Sequence, residues 1–108
     1  MDLADMPMES LRPDTAPLSE TQAQELIAQL REWNLAGDAI ERKLKFQDFP
    51  AAIAFVNRVA EEADAVDHHP DILISYNRVT LVLSTHSVGG LSRNDFILAA
   101  RIDRRVDR

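Results

Sequence analysis

The sequence predicts an α+β domain, a four-stranded antiparallel sheet with three helices packed on one face, in the order α-β-β-α-β-β-α. Three observations predict it. Ser19-Glu20-Thr21-Gln22 and Ser92-Arg93-Asn94-Asp95 carry helix-capping patterns, and Asp48 supplies a further cap before Pro50. Two pairs of short runs rich in strand-forming residues flank turn sequences, one at Gly37-Asp38 and one at Asn77-Arg78. Helix and hairpin signals alternate along the 108 residues, so each hairpin has a helix available to cover one face.

Residues 1–18 hold Pro7, Pro13 and Pro17 without a sustained apolar period. They are expected to form a mobile tail, with the domain over 19–108. From Ser19 a first helix is expected to about Glu32, with Leu26, Ile27 and Leu30 on its apolar face. Trp33-Asn34-Leu35 and residues 39–46 then make a hairpin. In its second strand Ile40, Leu44 and Phe46 alternate with Glu41, Lys43 and Lys45, which implies one dry and one wet face. Arg42 falls on the dry side and breaks the pattern.

The second helix follows Asp48 and tolerates Pro50 in its first turn, where the missing amide has no partner. Its expected core stripe is Ala52, Ile53, Val56, Ala60 and Ala63. It should end before His69, because Pro70 disfavours helical geometry in the residue ahead of it. Ile72–Tyr76 and Val79–Thr85 are the clearest strands. Both are apolar on both faces near their middles, so this hairpin is expected to be central in the sheet or covered by a partner subunit. Gly89-Gly90 ends it, and the last helix runs from Ser92 to about Arg104.

Composition narrows the function. With 45% apolar residues the chain suits a single core. Eighteen acidic residues against twelve basic give a net charge of −6, which argues against direct nucleic-acid binding, since that affinity comes from clustered Lys and Arg. The absence of Cys excludes disulfides, zinc-thiolate sites and thiol catalysis, and suits a reducing compartment. Met1-Asp2-Leu3-Ala4-Asp5 lacks the basic and apolar regions of a secretory signal. The longest stretch free of charge, Val79–Ser92, falls short of the roughly 18 apolar residues that span a bilayer. A cytoplasmic protein without membrane contact is expected, and its three histidines are left to carry any proton chemistry near neutral pH.

All three histidines fall in one cluster with Asp64, Pro70, Tyr76 and Asp95. Asp64 and His68 stand one helical turn apart, so the carboxylate is expected to accept from the His68 ring and set its tautomer. Ending the helix at the His69-Pro70 junction lets His69 swing toward the same cleft. If the second hairpin turns at Asn77-Arg78, His86 lies opposite the chain just after His69, and all three rings meet at one end of the sheet. Each residue also has a structural explanation. Asp95 caps a helix whether or not it touches a site, Tyr76 and Trp33 read as packing residues, and Asp64 belongs to an acidic run that suits a solvated helix face. No Ser sits in Gly-x-Ser-x-Gly, and no Gly-x-Gly-x-x-Gly or Walker-type loop occurs. A His-ligated metal is the competing chemistry, but adjacent histidines do not match the His-x3-His spacing that aims two rings at one ion.

The pattern Asp64-x3-His68-His69-Pro70-x5-Tyr76-x9-His86-x8-Asp95, together with Tyr76-Asn77-x-Val79 and Ser84-Thr85-His86, resembles the pterin-4a-carbinolamine dehydratase family over about residues 19 to 106. The resemblance implies a hydro-lyase that converts 4a-hydroxytetrahydropterin to quinonoid dihydropterin, in recycling of the tetrahydropterin used by aromatic amino acid hydroxylases. It implies no metal and no cofactor of the enzyme's own, the substrate being itself an oxidised pterin cofactor. His68, His69 and His86 match the family's catalytic histidines, with His68 and His86 sharing proton transfer and His69 mainly binding the pterin. Asp64, Asp95 and Pro70 are the expected substrate-binding and orienting residues. Asp64 stands where many members have glutamate, which shortens the carboxylate by one methylene. A homodimer or homotetramer is implied too. The alternative is a protein-interaction module, because animal members serve as dimerisation cofactors of a homeodomain transcription factor; nothing in this sequence points to that partner.

Overall fold

Ser19 and Gln22 form a reciprocal capping box, each side chain accepting from the other's main-chain N–H, and this starts α1 at Glu20–Ile27. The Asp48 carboxylate accepts from Ala51 N–H at 2.9 Å and starts α2, Phe49–Val66, with Pro50 in the first turn. The third helix, α3, covers Arg93–Asp103. Between them lie β1 (Asn34–Ala36), β2 (Ala39–Lys45), β3 (Asp71–Ser75) and β4 (Arg78–Leu83), all antiparallel, in the spatial order β1-β2-β4-β3. The computed structural model describes residues 2–106; Met1 and the last two residues of the expected domain lie outside the described residues. The expected α+β architecture and element order are those observed.

Register follows from the dry face. Ile40 pairs with Leu83, Arg42 with Leu81 and Leu44 with Val79, so these side chains share one side of the sheet. Ile40, Val79, Leu81 and Leu83 are wholly buried with Ala52, Phe55 and Val59 of α2 and Phe96, Ile97 and Ile102 of α3. The buried line of α2 is Ala52, Phe55, Val59 and Ala63; Ala60, expected in the core, is exposed. Phe55 sets that phase: its ring meets Phe46 at 5.1 Å between centroids, a contact no single-helix pattern reveals.

Arg42 interrupts the apolar alternation because it has a buried partner. Its Nη1 donates to Asp103 Oδ1 at 2.6 Å and its Nη2 to Glu32 at 3.3 Å, while Trp33 Nε1 donates to the same Asp103 oxygen at 2.7 Å. Arg31 N–H reaches the other Asp103 oxygen at 3.2 Å. These tertiary bonds also explain why α1 stops at Ile27 rather than Glu32: the chain unwinds into turns, with Glu32 at φ 56°, to deliver Arg31 and Trp33 to α3.

The second hairpin turns one residue earlier than expected. Ser75 pairs with Arg78 around Tyr76-Asn77, because Asn77 is bound to Phe46 twice, Nδ2 donating to Phe46 O and Asn77 O accepting from Phe46 N, both at 2.8 Å. Tyr76 takes the positive φ, 53°, and is 65% exposed, so it is a turn residue and not a packing residue. Of this hairpin, β4 is interior to the sheet, between β2 and β3, whereas β3 is an edge, with Leu73 66% exposed.

The mobile tail is corrected for residues 3–9. Leu3 is 3% exposed, and Met6 and Met8 pack against the core. Arg101 donates to the main-chain oxygens of Ala4 and Met6, and the Asn94 amide exchanges two hydrogen bonds with the main chain of Glu9 at 2.7 and 2.9 Å. Leu3–Asp5 makes one 3-10 turn, in which Asp5 N–H and Met6 N–H donate to Asp2 and Leu3 oxygens, and Asn94 and Arg101 of α3, 85 to 97 residues away, satisfy further main-chain groups of the segment.

Candidate active site

The end of α2 places the first two histidines. Asp67 adopts a left-handed conformation, φ 51° and ψ 44°, and its N–H and that of His68 fold back on Ala63 and Asp64 oxygens. The chain thereby leaves the helix axis before Pro70, which is half-buried and leads into β3. His68 is carried across to the start of α3.

The other wall is the turn after β4. Thr85 N donates to Gly90 O at 2.8 Å, closing a short loop that contains the 3-10 turn His86–Val88. Gly89 supplies a left-handed residue, φ 72°, and a Cβ on Gly90 would stand 3.0 Å from Pro17 Cβ. The loop delivers Ser92 as the cap of α3 and holds buried Thr85 beside it.

Asp95 lies at this junction and is 0% exposed. Its Oδ2 accepts from Thr85 Oγ1 at 2.8 Å and from Ser92 N at 2.9 Å, and its Oδ1 meets His68 Nε2 at 2.6 Å. With the Thr85 proton committed to Asp95, the 2.8 Å contact between Thr85 Oγ1 and Ser92 Oγ has Ser92 as donor. A buried carboxylate without such donors would be costly; here three groups from three elements satisfy it. As an acceptor-only group it fixes the proton on His68 Nε2. Nδ1 is left as the ring's proton-accepting atom, with no hydrogen-bond partner among the described residues. The His68 side chain is 16% exposed, so it is held but still accessible.

Asp64 does not pair with His68. Its Oδ1 meets His69 Nε2 at 2.8 Å, because the left-handed Asp67 destroys the helical spacing at 68 and brings the next residue back over the last turn. Both partners are exposed, 54% for His69 and 79% for Asp64, so the pair contributes at most about 1 kcal/mol and serves to aim the ring. His86 opens the 3-10 turn, exposed, and its side chain has no hydrogen bond or ion pair to the other two histidines among the described residues. Its neighbour Thr85, bound to Asp95, connects it to His68, whereas His69 belongs to the separate pair with Asp64. Thr85 was the residue sequence reasoning missed; its signal was the Ser84-Thr85-His86 run at the end of an apolar strand.

The corner can move protons. It presents one imidazole with a carboxylate-fixed tautomer, a second aimed by an exposed carboxylate, and a third on the adjoining loop. Among the described residues, no group of three or more His, Asp or Glu side chains is arranged to hold a metal ion.

The family described as pterin 4 alpha carbinolamine dehydratase matches residues 16–105, a span holding the capping boxes, all three histidines and Asp95. The chain belongs to this pterin dehydratase family. A relative from Halorhodospira halophila, provisionally named pterin-4-alpha-carbinolamine dehydratase, is 45% identical over 105 residues, covering 95% of this chain and 96% of its own. One from Chloroflexus aurantiacus with the same provisional name is 54% identical over 86 residues, covering 80% and 92%. A crystal structure from Brucella melitensis, described as a transcriptional coactivator/pterin dehydratase, superposes with a TM-score of 0.80 at 34% identity over 83% of this chain and 98% of that one. The match from Halorhodospira halophila covers 95% of this chain and so extends beyond the family match over residues 16–105. No helix among the described residues is long and apolar enough to cross a membrane.

Proposed function

We propose that this protein is a hydro-lyase that dehydrates 4a-hydroxytetrahydropterin to quinonoid dihydropterin. The observation that carries the reading is buried Asp95, which holds His68 with Nε2 protonated and Nδ1 available. Elimination breaks the C4a–O bond, forms a C4a–N5 double bond and needs two proton transfers, one away from N5 and one onto the departing hydroxyl, which leaves as water. His68 Nδ1 takes the N5 proton. His86, exposed and able to exchange with solvent, protonates the hydroxyl. His69, aimed by Asp64, binds and orients the pterin, and Pro70 shapes the chain beside it.

The same reading includes no metal and no cofactor apart from the pterin substrate, a place in tetrahydropterin recycling, the cytoplasm as compartment, and a homodimer or homotetramer. The deciding experiment is the dehydration assay on purified protein with and without chelator. Turnover of 4a-hydroxytetrahydropterin that survives chelation supports the reading; catalytic silence overturns it. The second reading, a protein-interaction module on the same fold, is favoured by one observation, the coactivator half of the description of the Brucella melitensis neighbour. It predicts a folded protein without turnover whose role lies in binding another protein.

A further inference from the structure

At the end of α3 remote from Asp95, Arg101, Arg104 and Arg105 meet Arg58, which reaches the same place from the middle of α2. With Ala4 and Glu62 they line a hollow of about 600 Å3. Four of the ten arginines (twelve basic residues less Lys43 and Lys45) thus converge on one surface of a chain with net charge −6.

Two of the four are neutralised. Arg104 binds both Asp5 oxygens at 2.8 and 3.0 Å, and Arg105 lies 3.3 Å from Glu62 and 3.4 Å from Glu61. Arg58 and Arg101 form no ion pair among the described residues, although the charge of Arg101 also acts on Asp5. Arg58 donates Nε to the main-chain oxygen of Arg105 at 3.0 Å and lies over the Phe55 ring at 5.8 Å. Arg101 donates Nε and Nη2 to the Ala4 and Met6 oxygens at 3.1 and 2.6 Å. Among the described residues neither has a carboxylate partner, which leaves both Nη atoms of Arg58 and Nη1 of Arg101 without a protein acceptor. Favourable interaction with a helix C-terminus accounts for arginines on the last turns of α3. It does not account for Arg58, which stands mid-helix in α2.

We propose that this hollow is an anion site for a small phosphorylated molecule, its phosphate held by Arg58 and Arg101. The guanidinium fork matches phosphate oxygens in a way a point charge cannot, and main-chain oxygens hold both forks in place before a ligand arrives. The hollow is open to solvent, so a small anion can reach it from outside. Because Arg101 also ties down Ala4 and Met6, an occupied site is coupled to the N-terminal segment.

The test is titration of the full chain with inorganic phosphate and with phenyl phosphate at constant ionic strength, followed by calorimetry and by amide NMR shifts. Saturable binding is expected, with shifts confined to residues 4–6, 58 and 101–105. Arg58→Gln should weaken binding about tenfold, the loss of one charge-assisted contact, while Arg78→Gln on β4 changes nothing. Arg58→Lys, which keeps charge and stem, separates loss of the fork from loss of folding and should still bind severalfold more weakly. Tighter binding of phenyl phosphate would assign the site to an organic phosphate, equal binding to the free ion. Equal binding by wild type and Arg58→Gln, or a response that chloride reproduces, would overturn the proposal.

Discussion

Asp95→Asn tests the proposed chemistry with almost no change of shape. The carboxylate now has Oδ2 facing Thr85 and Ser92 N–H and Oδ1 facing His68. An amide has one oxygen, and two donors from Thr85 and Ser92 retain it on their side. The amide nitrogen therefore faces His68 Nε2, where two N–H groups cannot meet, so the ring must shift its proton to Nδ1. The atom proposed to receive the N5 proton is thereby lost. Turnover should fall by about 10² or more, as for loss of one acid–base group, and toward about 10⁴ if the wrong tautomer is held firmly. Stability should fall as well. All three hydrogen bonds that the carboxylate accepts lose their charge assistance, partly offset by no longer burying a charge, a net loss of about 1–3 kcal/mol, or roughly 5–20 °C in Tm for a domain of this size. Stopped-flow dehydration kinetics measure the first effect, thermal melts the second, and ¹⁵N NMR of the histidine rings reads the tautomer directly. Full turnover in a folded Asp95→Asn protein, or lost turnover with Nε2 still protonated, would refute the reasoning.

His68→Ala and His86→Ala should each lower kcat by about 10² with circular dichroism unchanged, since each removes one proton-transfer group; retention of kcat by either would remove that residue from the mechanism. For Asp64→Asn, which loosens the exposed His69 ring, a rise in KM with a small change in kcat is expected from steady-state kinetics, and the opposite split would make His69 a proton-transfer group. Replacing Asp103 by Ala leaves buried Arg42 with exposed Glu32 as its one carboxylate partner among the described residues and removes the acceptor of Trp33 Nε1, so urea unfolding should show a loss of about 3 kcal/mol; a loss below about 1 kcal/mol would mean the cluster is replaceable. Hydrogen bonding to Arg104 lowers the pKa of Asp5 from its usual 3.8. Its stabilising contribution is therefore complete above about pH 4 and disappears as pH falls through the lower folded value. A stability gap between wild type and Asp5→Asn should be present at pH 5 and close in stronger acid, and melting curves across that range would show it.

Local chemistry was legible wherever a residue's partner was near in sequence. Ser19 with Gln22, Asp48 before Pro50 and the strand-rich run over residues 79–83 can be read within a few positions, because capping and alternation are properties of a single element. Features that depend on a distant partner were read incompletely. Arg42 looked like a fault in a strand until Asp103 and Glu32 gave it a role. The turn at Tyr76-Asn77 was set from across the sheet by Phe46, and the first residues looked like a tail because their acceptors and donors are Asn94, Arg101 and Arg104.

The histidine cluster shows the same division. By itself, the sequence determined the element order and carried the likeness to pterin dehydratases, because spacing between motifs is a linear property, and it singled out His68, His69, His86, Asp64 and Asp95 as candidates. Only the tertiary structure decided which carboxylate serves which ring. A left-handed Asp67 rotates the chain out of α2, so that His68 meets buried Asp95 and His69 meets exposed Asp64. That choice turns on one backbone dihedral and on a cap assembled from Thr85 and Ser92, and neither can be read from residue spacing.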